Sequence, residues 1–339
     1  MKSLSVIIIN RNDCQNLEKC LYYISMQNYP KQKIEIIIID GNSNDKSEQI
    51  SKSFDNCKFY NVGYENHMEA RRYIGVEKAH NEIICFIDTD NFIEDKNYFI
   101  KSLKPFENES KIIGSFSKWY FPSKNISFLD NYYALIGGND PIAYYLNRND
   151  RVEFKNNKLP NSSTTIISDN LNYSVVKFNS NDYPVVGCNG FFFRKSIISE
   201  NILKNPKLFF HTDYFKFIDD KSTLFNNYAI TNNSITHSTG KSLLYSVKKR
   251  INYANKYYLN LNRTYKVFNP KNIIDIFKMI KLLIFAITFI EPLIRGLYYS
   301  VKTRNNAWLI HPFILIVMVF SYSASIILIL LSRFFRIFK

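Results

Sequence analysis

Ile83-Ile84-Cys85-Phe86-Ile87-Asp88-Thr89-Asp90 is the stretch on which the fold turns. An Ile-rich apolar run bounded by polar residues reads as a strand covered on both faces, the kind found in parallel sheets. It ends in two carboxylates two residues apart. Side chains alternate along a strand, so continued extension would point Asp88 and Asp90 to one side and Thr89 to the other. Carboxyl ends of strands in open α/β sheets are where ligands bind. Two carboxylates at such an edge repel unless a cation lies between them, and oxygen ligands suit Mg²⁺ or Mn²⁺. An Asp-rich turn after a strand is the ordinary alternative, so the flanking sequence has to decide.

Upstream, the same pattern repeats. Leu4–Ile9 is a buried strand leaving through Asn10-Arg11-Asn12-Asp13, and Leu17, Cys20, Leu21 and Ile24 then mark one face of a helix. Ile34–Ile39 is a second such strand, leaving through Asp40-Gly41-Asn42-Ser43-Asn44-Asp45. A helix to about Phe54, a short strand at Cys57–Val62 and a helix from His67 to Asn81 carrying Arg71-Arg72 lead into the strand ending at Asp88. Strand–helix alternation of this kind predicts a parallel, doubly wound sheet with the three polar exit loops along one edge. Neither G-x-G-x-x-G after the first strand nor G-x-x-x-x-G-K-[ST] occurs, which argues against a dinucleotide enzyme and a P-loop.

Residues 112–235 are less regular. Asn156–Asn170 reads as a long loop, and Val185–Arg194 combines a strand-like run with Gly187 and Gly190. From Ile273 the character changes. Ala307–Leu331 is 25 residues whose one potentially charged side chain is His311, long enough at about 1.5 Å per residue to cross a hydrocarbon core of about 30 Å. The predicted membrane helix is 307–332, with Trp308 and the Arg333/Arg336/Lys339 end suiting the two interfaces. Residues 273–300, interrupted by Lys278, Lys281, Glu291, Pro292 and Arg295, read either as a first short span or as amphipathic segments lying in the interface.

Composition agrees with a folded, membrane-associated protein. The chain has 339 residues, 46% of them hydrophobic and 16% aromatic, with net charge +15. From Lys271 onward there are nine Lys/Arg against two acids. Basic residues beside apolar runs indicate an anionic membrane surface before nucleic acid, for which no motif is present. The five cysteines (14, 20, 57, 85, 188) have no metal-ligand spacing and read as reduced residues of a cytoplasmic domain.

The ordered set Asn10-Arg11-Asn12, Asp40-Gly41-x-Ser43-x-Asp45, Ala70-Arg71, Ile83–Asp90, Gly187–Arg194, Asp213 and His237 resembles the family 2 glycosyltransferases of GT-A fold. The resemblance implies a Rossmann-like, mostly parallel sheet flanked by helices. It sets a catalytic domain at 1–265 (nucleotide-binding half 1–115, acceptor half 116–265) before a membrane region at 266–339. It implies an inverting, metal-dependent transfer from a nucleotide-sugar donor to a lipid-linked or saccharide acceptor, at the cytoplasmic side of the cell membrane among its lipids. Asn10, Asn12, Asp40, Arg71 and Asp88 would bind the donor, and Asp88, Asp90 and His237 the Mn²⁺ or Mg²⁺. Asp213 would be the base, with His211, Asp219 and Asp220 as rivals; Thr212 stands where the family has Glu, and Arg72 where it more often has Asn. A membrane-tethered binding or regulatory protein that has lost catalysis is the alternative, and a nucleotidyltransferase a lesser one.

Overall fold

The structure, a computed structural model, describes residues 1–156, 164–178, 184, 186–198, 227–253 and 272–337. By packing, the chain divides into two units, Met1–Phe121 with Asn161–Ser238, and Pro122–Pro160 with Thr239–Lys339.

The first unit is built on one sheet. β1 (Leu4–Asn10), β2 (Ile34–Asp40), β3 (Cys57–Asn61) and β4 (Ile83–Ile87) pair in parallel in the order β3-β2-β1-β4. β1 and β4 are buried along their whole length, as continuous apolar runs require when helices cover both faces. The intervening helices are α1 (Cys14–Ser25), α2 (Ser47–Lys52) and α3 (Met68–Lys78). α3 packs so closely on β1 that a Cβ on Gly75 would overlap Ile7 Cγ2, so only glycine allows the approach.

Beyond β4 the parallel expectation gives way to a mixed sheet. β5 (Asn91–Phe92), α4 (Tyr98–Asn108), β6 (Ile112–Tyr120), β7 (Thr165–Asp169), β8 (Tyr173–Lys177), β9 (Asn189–Arg194) and β10 (Asn227–His237) continue the unit. β9 runs antiparallel between β4 and β6, placing Phe191, Phe192 and Phe193 in the core. β10 is parallel to β6 and antiparallel to β8, and β7 forms the edge. The expected loop at 156–170 therefore contains a strand, β7, whose residues are all exposed.

The second unit is helical. α5 (Phe128–Ile136) starts at Ser127, whose hydroxyl accepts from the Asp130 N–H. α6 (Pro141–Tyr145) starts at Asp140 with Pro141 in its first turn. α7 (Leu243–Tyr253), α8 (Ile273–Thr288), α9 (Ile290–Thr303), a 3₁₀ turn (Asn306–Ile310) and α10 (His311–Ile337) follow. The stretch 273–300 is thus two helices broken at Phe289, which sits at φ 63°. Among the described residues one helical segment, Asn306–Ser325, is long and apolar enough to cross a membrane, and 44% of it is buried within the protein. His311 is fully buried. The Tyr145 hydroxyl donates to Glu291 at 2.6 Å, so its oxygen accepts from His311 Nε2 at 2.9 Å, leaving Nδ1 to accept from Tyr132 at 2.8 Å.

Candidate site: a polar corner and an acid–imidazole pair at the sheet edge

β1 and β2 end in register, Asn10 beside Asp40. The Asn10 amide donates to Asp40 Oδ1 at 2.8 Å and to the Ser43 hydroxyl at 3.2 Å, and that hydroxyl donates to the same Asp40 oxygen at 2.6 Å. The Ser43 N–H closes the turn on Asp40 Oδ2 at 2.7 Å. Asp40 is 1% exposed, its carboxylate held by donors on both oxygens. Asn12, in the left-handed region at φ 50°, laces the two loops together: its backbone N–H donates to Ser43 Oγ and its side-chain Oδ1 accepts from the Asn44 N–H. Asn is among the few side chains that tolerate that conformation.

Arg71 and Arg72 are both buried on α3 and go to different places. The Arg71 guanidinium donates to the Asn10 carbonyl and lies over Gly41, where a Cβ would come within 2.6 Å of Nη1. Burial, with Arg72 beside it, pulls its pKa down to about 10, so it stays a cation at neutral pH. Arg71 Nε and Asn10 Oδ1 are buried without a hydrogen-bond partner. Buried polar atoms are rarely left so, and two at one strand-end corner suit an incoming polar ligand. Arg72 forms two bonds to Asp88, of 3.0 and 2.9 Å, and one of 2.8 Å to the buried Glu69.

The strand ends at Ile87, one residue before the paired acids. Asp88–Asn91 is a turn closed by the Asn91 N–H on the Asp88 carbonyl at 3.0 Å, so strand alternation is not what orients the two carboxylates. The Thr89 hydroxyl donates to Asp13 Oδ2 at 2.6 Å. Asp88 meets Arg72, whereas Asp90 meets His237. The short antiparallel bridge of β5 to β10 sets His237 opposite Asn91, and the Ser238 N–H donates to the Asp90 carbonyl at 2.9 Å. His237 Nε2 lies 3.3 Å from Asp90 Oδ2, its ring against Tyr120 with centroids 5.6 Å apart. The Asn91 amide spans Asp90 Oδ1 at 2.9 Å and Asn189 Oδ1 at 3.0 Å, and the Asn189 amide in turn donates to the Tyr120 hydroxyl.

Neighbouring corners of an octahedral cation with bonds of about 2.1 Å lie roughly 3 Å apart. Asp90 Oδ2 and His237 Nε2 have that separation, so the pair fits two ligands of one divalent ion. Among the described residues no three His, Cys, Asp or Glu side chains form a group able to hold a metal, and Asp88 is engaged with Arg72. Asp213, with His211, Thr212, Asp219 and Asp220, lies outside the described residues. Tyr120 and Asn91, which neighbour His237 and Asp90, carry no local sequence signal; nothing but the fold brings them there. Asn189 lies within the Gly187–Arg194 motif and Arg72 directly follows Ala70-Arg71.

Residues 5–170 match glycosyl transferase family 2. Glycosyltransferase AglE of Haloferax volcanii is 33% identical over 91 residues, which are 26% of this chain and 30% of that protein. The chain thus spans less than a third of that relative's length. Among solved structures, the mannosyltransferase PcManGT from Pyrobaculum calidifontis in complex with GDP-Man and Mn²⁺ superposes with a TM-score of 0.51 at 12% identity, over 95% of this chain and 87% of that one. At that identity the likeness is one of fold. The sequence match over residues 5–170 and the likeness of fold point the same way: that segment is similar to a family 2 glycosyltransferase domain.

Proposed function

We propose that the chain transfers a sugar from a nucleotide-diphosphate donor to a lipid-linked or saccharide acceptor, inverting the anomeric centre, at the cytoplasmic face of the cell membrane. The carrying observation is the single strand-end edge on which Asn10, Asp40, Arg71 and Asp88 precede the Asp90–His237 pair. The Asp40 corner, locked by Asn10 and Ser43, presents the donor's base with a fixed acceptor, and Asn12 holds the rim of that corner. Arg71 supplies positive charge to the diphosphate. Asp88, oriented by Arg72, has lone pairs left for a ribose hydroxyl.

Asp90 and His237 would hold Mn²⁺ or Mg²⁺, whose chemistry when bound is to stabilise charge on the departing diphosphate. The neighbour of like fold solved with GDP-Man and Mn²⁺ supports these ligand classes. Asp213 takes the acceptor proton in this reading, on the strength of its place in the family motif. Membrane attachment runs through the C-terminal unit, with 307–332 as the spanning segment.

The test is a screen of nucleotide sugars for binding and turnover with and without Mn²⁺, on the wild type and on Asp90→Asn and His237→Asn. The expected result is Mn²⁺-dependent turnover giving an inverted product, abolished in Asp90→Asn while the melting temperature shifts little. Undiminished activity in Asp90→Asn, or in excess chelator, overturns the cation assignment.

A further inference from the structure

α8 and α9 expose nearly unbroken apolar faces. Phe277, Ile284 and Ile287 on α8, and Ile294, Leu297 and Val301 on α9, are all exposed, Val301 to 80%. Their spacing of three, four or seven residues marks one side of each helix. A water-facing helix would carry its charges there, yet the exposed charges of these two helices are Lys281 and Lys302 alone. The acids are turned inward. Asp275 is fully buried and held by Arg148 through bonds of 2.8 and 3.1 Å, and Glu291 is held by Arg295 and the Tyr145 hydroxyl. Each segment therefore shows its surroundings an apolar face whose fully exposed charge is a lysine, the part-exposed Glu291 being neutralised by Arg295.

Length decides how such a face meets lipid. At about 1.5 Å per residue, the 16 residues of α8 reach about 24 Å and the 14 of α9 about 21 Å, each short of a hydrocarbon core of about 30 Å. The break at Phe289 prevents their adding into one span.

We propose that α8 and α9 lie in the plane of a bilayer leaflet rich in anionic lipid, apolar faces sunk to the acyl boundary and both lysines reaching up to the headgroups. Of the two readings of 273–300, this one makes it an in-plane support. It rests on the membrane placement proposed above and not on glycosyl transfer.

The test uses the full chain in vesicles of phosphatidylcholine, alone or mixed with phosphatidylglycerol. Spin labels are introduced one at a time as F277C, I284C, I294C and V301C, the wild type giving the background from the native cysteines. Collision with oxygen and with a water-soluble nickel complex reports depth. In mixed vesicles all four labels should sit at one shallow depth, and K281E with K302E should shift them toward water there but not in phosphatidylcholine alone. A depth profile passing through the bilayer centre overturns the proposal in favour of a span. Strong coupling between labels of different chains overturns it in favour of a second copy, and unchanged depth in the lysine variants removes the anionic preference. Absence of vesicle binding sinks this proposal and the membrane placement together.

Discussion

Replacing Arg72 by Met tests whether the Glu69–Arg72–Asp88 chain is held as an electrostatic unit. Arg72 and Glu69 side chains are 4% and 3% exposed, whereas Asp88 is 28% exposed. Losing the guanidinium costs Asp88 little, because water reaches it. Glu69 keeps a buried charge and loses its Arg72 ion pair, and removing one partner of a buried pair costs about 3–5 kcal/mol. Against a total stability of roughly 5–15 kcal/mol, that is a large fraction. Glu69→Gln in the Arg72→Met background deletes the charge and should recover more than half of the loss. Denaturant unfolding of wild type, both single variants and the double variant closes the cycle, with donor affinity measured alongside. If Arg72→Met unfolds within about 1 kcal/mol of wild type, Arg72 and Glu69 do not act as a buried unit. A double variant no more stable than Arg72→Met would refute the unit equally.

Gly41→Ala would set a methyl group 2.6 Å from Arg71 Nη1; the guanidinium must move, so donor affinity should fall about tenfold or more with little loss of melting temperature, read by calorimetric titration of nucleotide sugar. Glu35 feels burial, which raises its pKa, but hydrogen bonds from Lys58, the His80 N–H, Ser5 and the His80 ring outweigh it and lower it from 4.5 to about 2. Its contribution to stability is therefore present above about pH 4.5 and lost as pH falls through about 2. Glu35→Gln should be less stable than wild type at neutral pH, and the two unfolding curves should converge in strong acid. Asp213→Asn should leave donor affinity unchanged while turnover drops roughly 10²–10⁴-fold, the range for a lost general base; normal turnover in single-turnover assays would pass the role to His211, Asp219 or Asp220.

The parallel half of the sheet was legible because Leu4–Ile9, Ile34–Ile39 and Ile83–Ile87 are near-continuous apolar runs, broken only by Ser5 and Glu35, a pattern that needs cover on both faces. Asp40 and Asn10 were legible as strand exits. β9 was harder, since Val185–Arg194 looks the same whether it joins a sheet parallel or antiparallel, and direction is set by long-range pairing. β7 gave no signal because an edge strand exposed at all five positions has no alternation of burial to read. The break at Phe289 had one sign in the sequence, Pro292, already read as an interruption: it falls in the first turn of α9, where proline is tolerated, rather than mid-helix where it would kink. His311 was hidden by its apolar neighbours. Its two tyrosine partners lie 166 and 179 residues away in sequence, beyond any local pattern.

Sequence separation also divides the sheet edge in time. The Asn10–Asp40 bond joins residues 30 apart, and the Arg71 bond to Asn10 spans 61. The Asp90–His237 pair spans 147 and waits for β10. On a ribosome adding residues from the N-terminus, the Asn10–Asp40–Arg71 corner has all its side chains long before the imidazole is synthesised. A nascent chain paused before β10 holds Asn10, Asp40 and Arg71, proposed for the donor's base and diphosphate, yet lacks one half of the acid–imidazole pair. Under the proposed function, nucleotide sugar captured at that stage would meet no completed cation corner, and completion of the sheet would be the step that arms the edge.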